Sequence, residues 1–161
     1  MTVNRISGRV LLVDDDPDFV EVLSEVMKQR GLEVVVTHNG EEAFSEFLRT
    51  PFDLVITDLK MPKMDGLTLL KAIKNKEKDA TVLVITGFGT VESAVSAIKA
   101  GAYDYITKSI SIEDLGLTVN RALTKRNLIK QLNTLKGILL APLISIPVWL
   151  ALGVVMGWLW K

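Results

Sequence analysis

Arg9-Val10-Leu11-Leu12-Val13-Asp14-Asp15-Asp16-Pro17, near the start of the chain, already carries the pattern of the whole fold. Four apolar residues in a row, with no polar alternation, belong to a strand covered on both faces, as in a parallel sheet with helices on each side. The run stops at three acids. Asp16 then stands where a helix N-cap belongs, and Pro17 at the first helical position, where its missing N–H leaves nothing unsatisfied. The same strand-then-helix unit recurs along the chain. Strands are expected at Arg9 to Asp14, Glu33 to Thr37, Asp53 to Thr57, Thr81 to Thr86 and Tyr103 to Thr107. Helices are expected at Pro17 to Arg30, Glu41 to Arg49, Leu67 to Asn75, Val91 to Ala100, and from Glu113 onward. Gly31 falls where a helix C-terminus turns left-handed. Val82-Leu83-Val84-Ile85 repeats the uniform apolarity of the first strand. The alternation predicts an α/β fold with a doubly covered parallel sheet, and in such sheets ligands bind beyond the carboxyl ends of the strands.

The 161 residues leave room for one domain of ordinary size and a short appendage. Lys plus Arg and Asp plus Glu each number 19, so there is no global positive field of the kind that draws nucleic acid. The absence of cysteine excludes disulfide staples and thiolate metal sites, and fits a reducing compartment. Met1 to Ser7 has no apolar core of the kind a signal peptide carries, so no secretory signal is expected. His38, the single histidine, reads as a surface loop residue. Val20, Leu23 and Met27 have the spacing of a buried helix stripe.

The chemistry is expected at the strand ends. The first strand runs into Asp14-Asp15-Asp16, the third into Thr57-Asp58, the fourth into Thr86-Gly87 and the fifth into Thr107-Lys108. Taken singly, an aspartate at a strand end caps a helix more often than it reacts, a loop lysine is solvated, and a strand threonine reflects β propensity. The reading rests on their conjunction, because the fold gathers all four strand ends on one edge. Carboxylates that converge repel one another unless a cation offsets them. An all-oxygen cluster suits Mg²⁺, which keeps waters and phosphate oxygens as its remaining ligands. Thr86 and Lys108 would supply the donors that a transferring phosphoryl group needs. Asp58, at the centre of the edge, is the carboxylate placed to accept it. Asp16 is read as a cap.

These residues also resemble a known family, the receiver domains of bacterial two-component response regulators. The resemblance covers roughly Arg9 to Arg126. It is carried by Leu12-Val13-Asp14-Asp15-Asp16, Asp58-Leu59-Lys60-Met61-Pro62-Lys63-Met64-Asp65-Gly66, Thr86-Gly87, Ala100-Gly101-Ala102-Tyr103-Asp104-Tyr105, and Lys108. The family implies a flavodoxin-like (βα)5 doubly wound parallel sheet in strand order 2-1-3-4-5. It implies Asp58 as phosphoacceptor, Asp14 and Asp15 as an acidic pair that holds Mg²⁺ together with Asp58, and the backbone carbonyl of Lys60 as a further metal ligand. Thr86 and Lys108 become phosphoryl contacts, and Thr86 with Tyr105 the switch pair that moves on phosphorylation. The expected donor is a histidine kinase or phosphotransfer protein, and the expected output a protein effector that reads the face of the fourth helix, fifth strand and fifth helix.

On this reading the chain is a signalling domain that catalyses only its own phosphorylation and dephosphorylation. Val82 to Lys108 looks most like the receivers that precede ATPase-type transcription activators. No helix-turn-helix pattern follows, so direct nucleic-acid binding is not expected. A membrane-tethered phosphate sink or scaffold, with no phosphorylation-dependent output, is the alternative. A haloacid-dehalogenase-like phosphatase would want a carboxylate two residues after its nucleophile, where Lys60 stands. One departure concerns Lys108: the family's lysine is usually followed by a proline in a cis bond, and here Ser109 follows. A non-proline cis bond costs about 3 kcal/mol, so a trans bond or a strained loop is expected. Residues two positions past the acceptor and past the threonine tune dephosphorylation in the family; here they are Lys60 and Phe88.

Hydropathy divides the chain into a receiver at 1–127, a basic helical joint at 128–136, and a hydrophobic segment at 137–161. Gly137 to Trp160 contains no charged residue, and as a helix it would be about 36 Å long against a hydrocarbon core of about 30 Å. Trp149, Trp158 and Trp160 suit an interfacial belt, and Pro142 and Pro147 are tolerable as kinks. Lys125, Arg126, Lys130 and Lys136 precede the segment, against Lys161 beyond it. The expectation is a single-pass C-terminal membrane anchor with the receiver facing the cytoplasm. Gly153-x-x-x-Gly157 would permit a homodimer.

Overall fold

The structure, a computed structural model, describes residues 7–159; the side chains of residue 133 and of residues 137–155 and 157–159 fall outside that description. Strands and helices alternate as β1 (Arg9–Val13), α1 (Pro17–Gln29), β2 (Glu33–Thr37), α2 (Gly40–Arg49), β3 (Leu54–Thr57), α3 (Gly66–Lys76), β4 (Val82–Thr86), α4 (Val91–Lys99), β5 (Asp104–Thr107) and α5 (Ile112–Leu159). The strands form one parallel sheet in the order β2-β1-β3-β4-β5, the flavodoxin-like arrangement expected.

The uniform apolarity of the strands has the cause anticipated. Alternate residues of each strand enter different cores. Val10, Leu12, Leu54, Ile56, Leu83 and Ile85 pack with Val20, Leu23 and Met27 of α1 and Leu115, Val119 and Leu123 of α5. Leu11, Val13, Val55, Val82 and Val84 pack with Phe47 of α2, Leu69, Leu70 and Ile73 of α3, and Ala97 of α4. Both faces being covered, the only polar work left to the strands is at their tips.

Helix starts are set by side-chain caps. The carboxylate of Asp16 accepts from Phe19 N at 3.2 Å, with Pro17 at the first helical position. Asn39 accepts from Glu42 N at 3.0 Å and Asp65 from Thr68 N at 2.7 Å. Thr90 and Ser93 form a reciprocal capping box on α4. Three helices start one residue earlier than the sequence suggests, at Gly40, Gly66 and Ile112, and the first two of these residues are glycines. A glycine reads as a helix breaker, but the two glycines are required by close approach: a Cβ at Gly40 would lie 2.5 Å from the carbonyl oxygen of Met64, and one at Gly66 1.8 Å from that of Asp58. Gly31 has φ +90°, as its place after α1 predicts.

The chain divides into two compact units, Met1–Arg126 and Asn127–Lys161. The expected membrane anchor does not hold. Among the described residues, no helix is long and apolar enough to cross a membrane. Through the part of α5 whose side chains are described, charge keeps returning, at Glu113, Asp114, Arg121, Lys125, Arg126, Lys130 and Lys136. No apolar window of spanning length can form there. The residues on which the expectation was built, Gly137 to Trp160, have side chains outside the description apart from Met156, and residues 160 and 161 lie outside it entirely. The transmembrane helix, the membrane as a partner, the single-pass localisation and the cytoplasmic orientation are all withdrawn. The Gly153 and Gly157 pair likewise falls outside the described side chains.

Candidate functional site

The site grows from two neighbouring strands. β1 and β3 pair in register, with Val13 opposite Thr57, so the next residue of each, Asp14 and Asp58, emerges side by side from the middle of the sheet edge. Backbone bonds fix both: Asp58 N donates to Val13 O at 2.9 Å, and Asp14 N to Thr37 O at 3.2 Å. Asp14 is 1% and Asp58 6% exposed, whereas Asp15 is exposed. The three residues each offer a carboxylate oxygen, all within 4.8 Å of one another.

Lys108 reaches this cluster from the end of β5. Its Nζ lies 2.7 Å from Asp14 Oδ2, 3.0 Å from Asp14 Oδ1 and 3.2 Å from Asp58 Oδ2. Its backbone N donates to Thr86 O at 2.9 Å, which ties the loop to β4. No peptide bond among the described residues is cis, so Lys108–Ser109 is trans. Burial opposes the charge on Lys108, but the hydrogen bond and charge of Asp14 and the charge of Asp58 together outweigh it and hold the ammonium above its ordinary value. Asp14 moves the same way for a different reason. Burial pushes its carboxyl up, and the hydrogen bonds from Lys108 and Asp16 N offset this only in part. The more deeply buried partner bears the larger desolvation.

Asp58 presents two different oxygens. Oδ1 accepts from Leu59 N at 2.5 Å and Lys60 N at 3.4 Å, while Oδ2 faces Lys108. Gly66 N donates to Leu59 O at 3.0 Å, closing the loop behind Asp58. The side chain of Thr86 is buried, and its Oγ1 accepts from Phe88 N at 3.3 Å, which leaves the hydroxyl proton free to be donated elsewhere. Tyr105 pairs with Val84 on β4, and its hydroxyl lies 2.7 Å from Ser93 Oγ on the first turn of α4.

Of the residues singled out from sequence, the structure therefore gathers Asp14, Asp15, Asp58 and Lys108 into one cluster. Thr86 joins it through the backbone of Lys108, and Lys60 through its own N–H to Asp58. Tyr105 is directed to Ser93. His38 is exposed as expected, yet its Nδ1 is 3.2 Å from the carbonyl oxygen of Asp14. Sequence reasoning missed two aromatic contacts. The ring of Phe19 lies with its centroid 4.4 Å from Lys108 Nζ, and that of Phe88 4.4 Å from Lys60 Nζ. The one signal for Phe19 was its place three residues after the cap Asp16, in the turn that faces the strand tips. Ser93 carried a signal too, as the third helical residue after Thr90.

The donor set fits a hard divalent cation. Three carboxylates meet one ammonium, so the cluster keeps an excess of negative charge in a largely buried place, and every donor from the acids is oxygen.

Comparison with known proteins places this arrangement. The regulatory protein AtoC of Escherichia coli strain K12 is 35% identical over 128 residues, which are 80% of this chain and 28% of that protein. The response regulator protein PilR of Pseudomonas aeruginosa is 36% identical over 119 residues, 74% of this chain and 27% of that one. The chain thus spans just over a quarter of the length of these curated relatives. The crystal structure of a response regulator receiver domain protein from Clostridium thermocellum superposes with a TM-score of 0.72 at 30% identity, covering 76% of this chain and 98% of that one. A family model for the response regulator receiver domain matches residues 10–120. Sheet order, acid cluster and family match agree, and the chain belongs to the response regulator receiver family.

Proposed function

We propose that the chain accepts a phosphoryl group on Asp58 from a phosphohistidine donor, a histidine kinase or phosphotransfer protein, in a Mg²⁺-dependent step. We assign residues 1–127 to the receiver and 128–136 to a basic helical joint; the compact unit Met1–Arg126 supports the first of these. The observation that carries the reading is the grouping of Asp14, Asp15, Asp58 and Lys108 at the tips of β1, β3 and β5.

Asp58 attacks through one carboxylate oxygen while backbone N–H groups hold the other. The new bond joins that oxygen to phosphorus, the phosphorus–nitrogen bond of the donor breaks, and its electron pair leaves on the imidazole. Lys108 turns from the carboxylates to an equatorial phosphoryl oxygen, and the Thr86 hydroxyl donates its free proton to another. A Mg²⁺ ion held by Asp14, Asp15, Asp58 and the Lys60 carbonyl would neutralise charge on the acids and on the phosphoryl oxygens. The signal leaves through Thr86 and Tyr105, because Tyr105 is bonded to the first turn of α4. The face of α4, β5 and α5 then presents a changed surface to a protein effector.

Incubation with acetyl phosphate and Mg²⁺ should add the mass of one phosphoryl group, and chelation of the metal should prevent it. Asp58→Asn should abolish the adduct. An acid-labile adduct formed in normal yield by Asp58→Asn would overturn the assignment.

A further inference from the structure

We infer that Phe19 is a positioning residue for Lys108, holding its ammonium at the phosphorylation site through the face of its ring. The inference rests on the role proposed above for Lys108 and adds the residue that aims it.

Lys108 carries its charge on a flexible stem with three rotatable donors, so something must limit where the ammonium points. Its polar partners are Asp14 Oδ1, Asp14 Oδ2 and Asp58 Oδ2. These are the oxygens that a phosphoryl group and its counter-ion would claim, so the anchors of Lys108 are the contacts that reaction disturbs. The ring of Phe19 is of another kind. Its centroid lies 4.4 Å from Nζ, and a π face attracts a cation without a lone pair that a metal or phosphoryl group could take over. The side chain of Lys108 is 19% exposed, a setting in which water competes only weakly for the ammonium.

Phe19 is itself fixed. Its N–H donates to Asp16 Oδ1 at 3.2 Å, Asp16 N donates to Asp14 Oδ1 at 3.0 Å, and Asp14 Oδ1 also accepts from Lys108. The cap of α1, the buried acid and the ammonium are therefore links of one chain of hydrogen bonds, with the aromatic contact closing it. The ring is half-buried against the core shared by α1 and α5, so it cannot swing away without unpacking that edge. Asp16, which read as a simple cap, gains a second consequence: it orients the residue that faces Lys108.

The test uses the full chain. Without phosphodonor or metal, the ε-methylene protons of Lys108, assigned by their loss in Lys108→Arg, should be shifted upfield by the ring current of Phe19. They should return to ordinary lysine positions in Phe19→Leu and stay shifted in Phe19→Tyr. With acetyl phosphate and Mg²⁺, Phe19→Leu should form the adduct about three- to tenfold more slowly, the range expected of a cation–π contact. Phe19→Tyr, which keeps the ring, should restore the wild-type rate; a merely structural role would treat leucine and tyrosine alike. Unshifted Lys108 protons in the wild type would overturn the inference without any variant, as would wild-type labelling by Phe19→Leu. If the wild type itself gains no phosphoryl group at Asp58, the proposed function fails instead, and the resonance measurement distinguishes the two.

Discussion

Gly66→Ala probes the join between fold and chemistry. A Cβ at position 66 would lie 1.8 Å from the Asp58 carbonyl oxygen, 2.8 Å from its carbonyl carbon and 3.0 Å from Leu59 Cα, whereas side-chain Cβ atoms essentially never come within 3.0 Å of another heavy atom. The two backbones must therefore part by about 1 Å or more, and what moves is main chain, which has no rotamer to escape through. The cost in stability is about 3 kcal/mol or more, at the upper end of what overpacking causes. Gly66 N bonds to Leu59 O, and Leu59 N bonds to the Asp58 carboxylate. A shift at position 66 thus reaches the Asp58 carboxylate through two contacts, by way of Oδ1, the oxygen that the backbone N–H groups hold. A displacement of about 1 Å at a reacting group costs on the order of a hundredfold in rate. The assay pairs urea denaturation with the initial rate of adduct formation from acetyl phosphate, read by intact mass at a urea concentration of zero where the variant is still folded. A variant that labels at the wild-type rate with wild-type stability would show that the loop absorbs a methyl group freely, and that its closeness to Asp58 does not set the geometry of the acceptor.

Arg126→Leu should cost about 1–3 kcal/mol, because the buried guanidinium donates to Asp79 O at 3.0 Å and is paired with the Glu77 carboxylate; thermal melting should fall by several degrees, and an unchanged midpoint would count against the clamp. Asp15→Asn should weaken Mg²⁺ binding about tenfold or more by calorimetry while leaving the melting temperature nearly unchanged, since Asp15 is an exposed member of the acid cluster. Alkaline pH should act through Lys108. Its folded value lies above the usual 10.5, so the folded state binds this proton more tightly than the unfolded chain; the stability gained is fully present below 10.5 and is lost as pH rises through the folded value. Denaturation series of the wild type and Lys108→Met should converge above pH 10.5, and curves that stay parallel would argue that the carboxylates do not hold the ammonium.

The sequence made the sheet legible because doubly buried strands leave an unbroken apolar signature, as in Val10 to Val13. It made the acids legible because a strand that ends in charge has nowhere to put it except the sheet edge. Other features depended on distances that no spacing encodes. Gly40 and Gly66 look like poor helix residues, and only the approach of Met64 and Asp58 explains why they open α2 and α3. Phe19 has the composition of an ordinary amphipathic helix, and its meeting with Lys108, 89 positions later, depends on the packing of α1 beside the strand tips. The hydrophobic C-terminal stretch misled for the opposite reason. Hydropathy is a property of composition alone, and an apolar window does not say against what its residues are placed.

The two cores behind the site have a consequence for how such a chain can vary. Leu12 faces α1 and α5, while its neighbour Leu11 faces the other three helices. Each layer repacks within itself, and the strand backbone is the main path by which one side feels a change in the other. Losses from one substitution in each layer should therefore be nearly additive, while paired substitutions within a layer should not be. A lineage can then reshape the layer of α2, α3 and α4 without compensating changes beneath α1 and α5, and the acids at the strand tips keep their positions throughout.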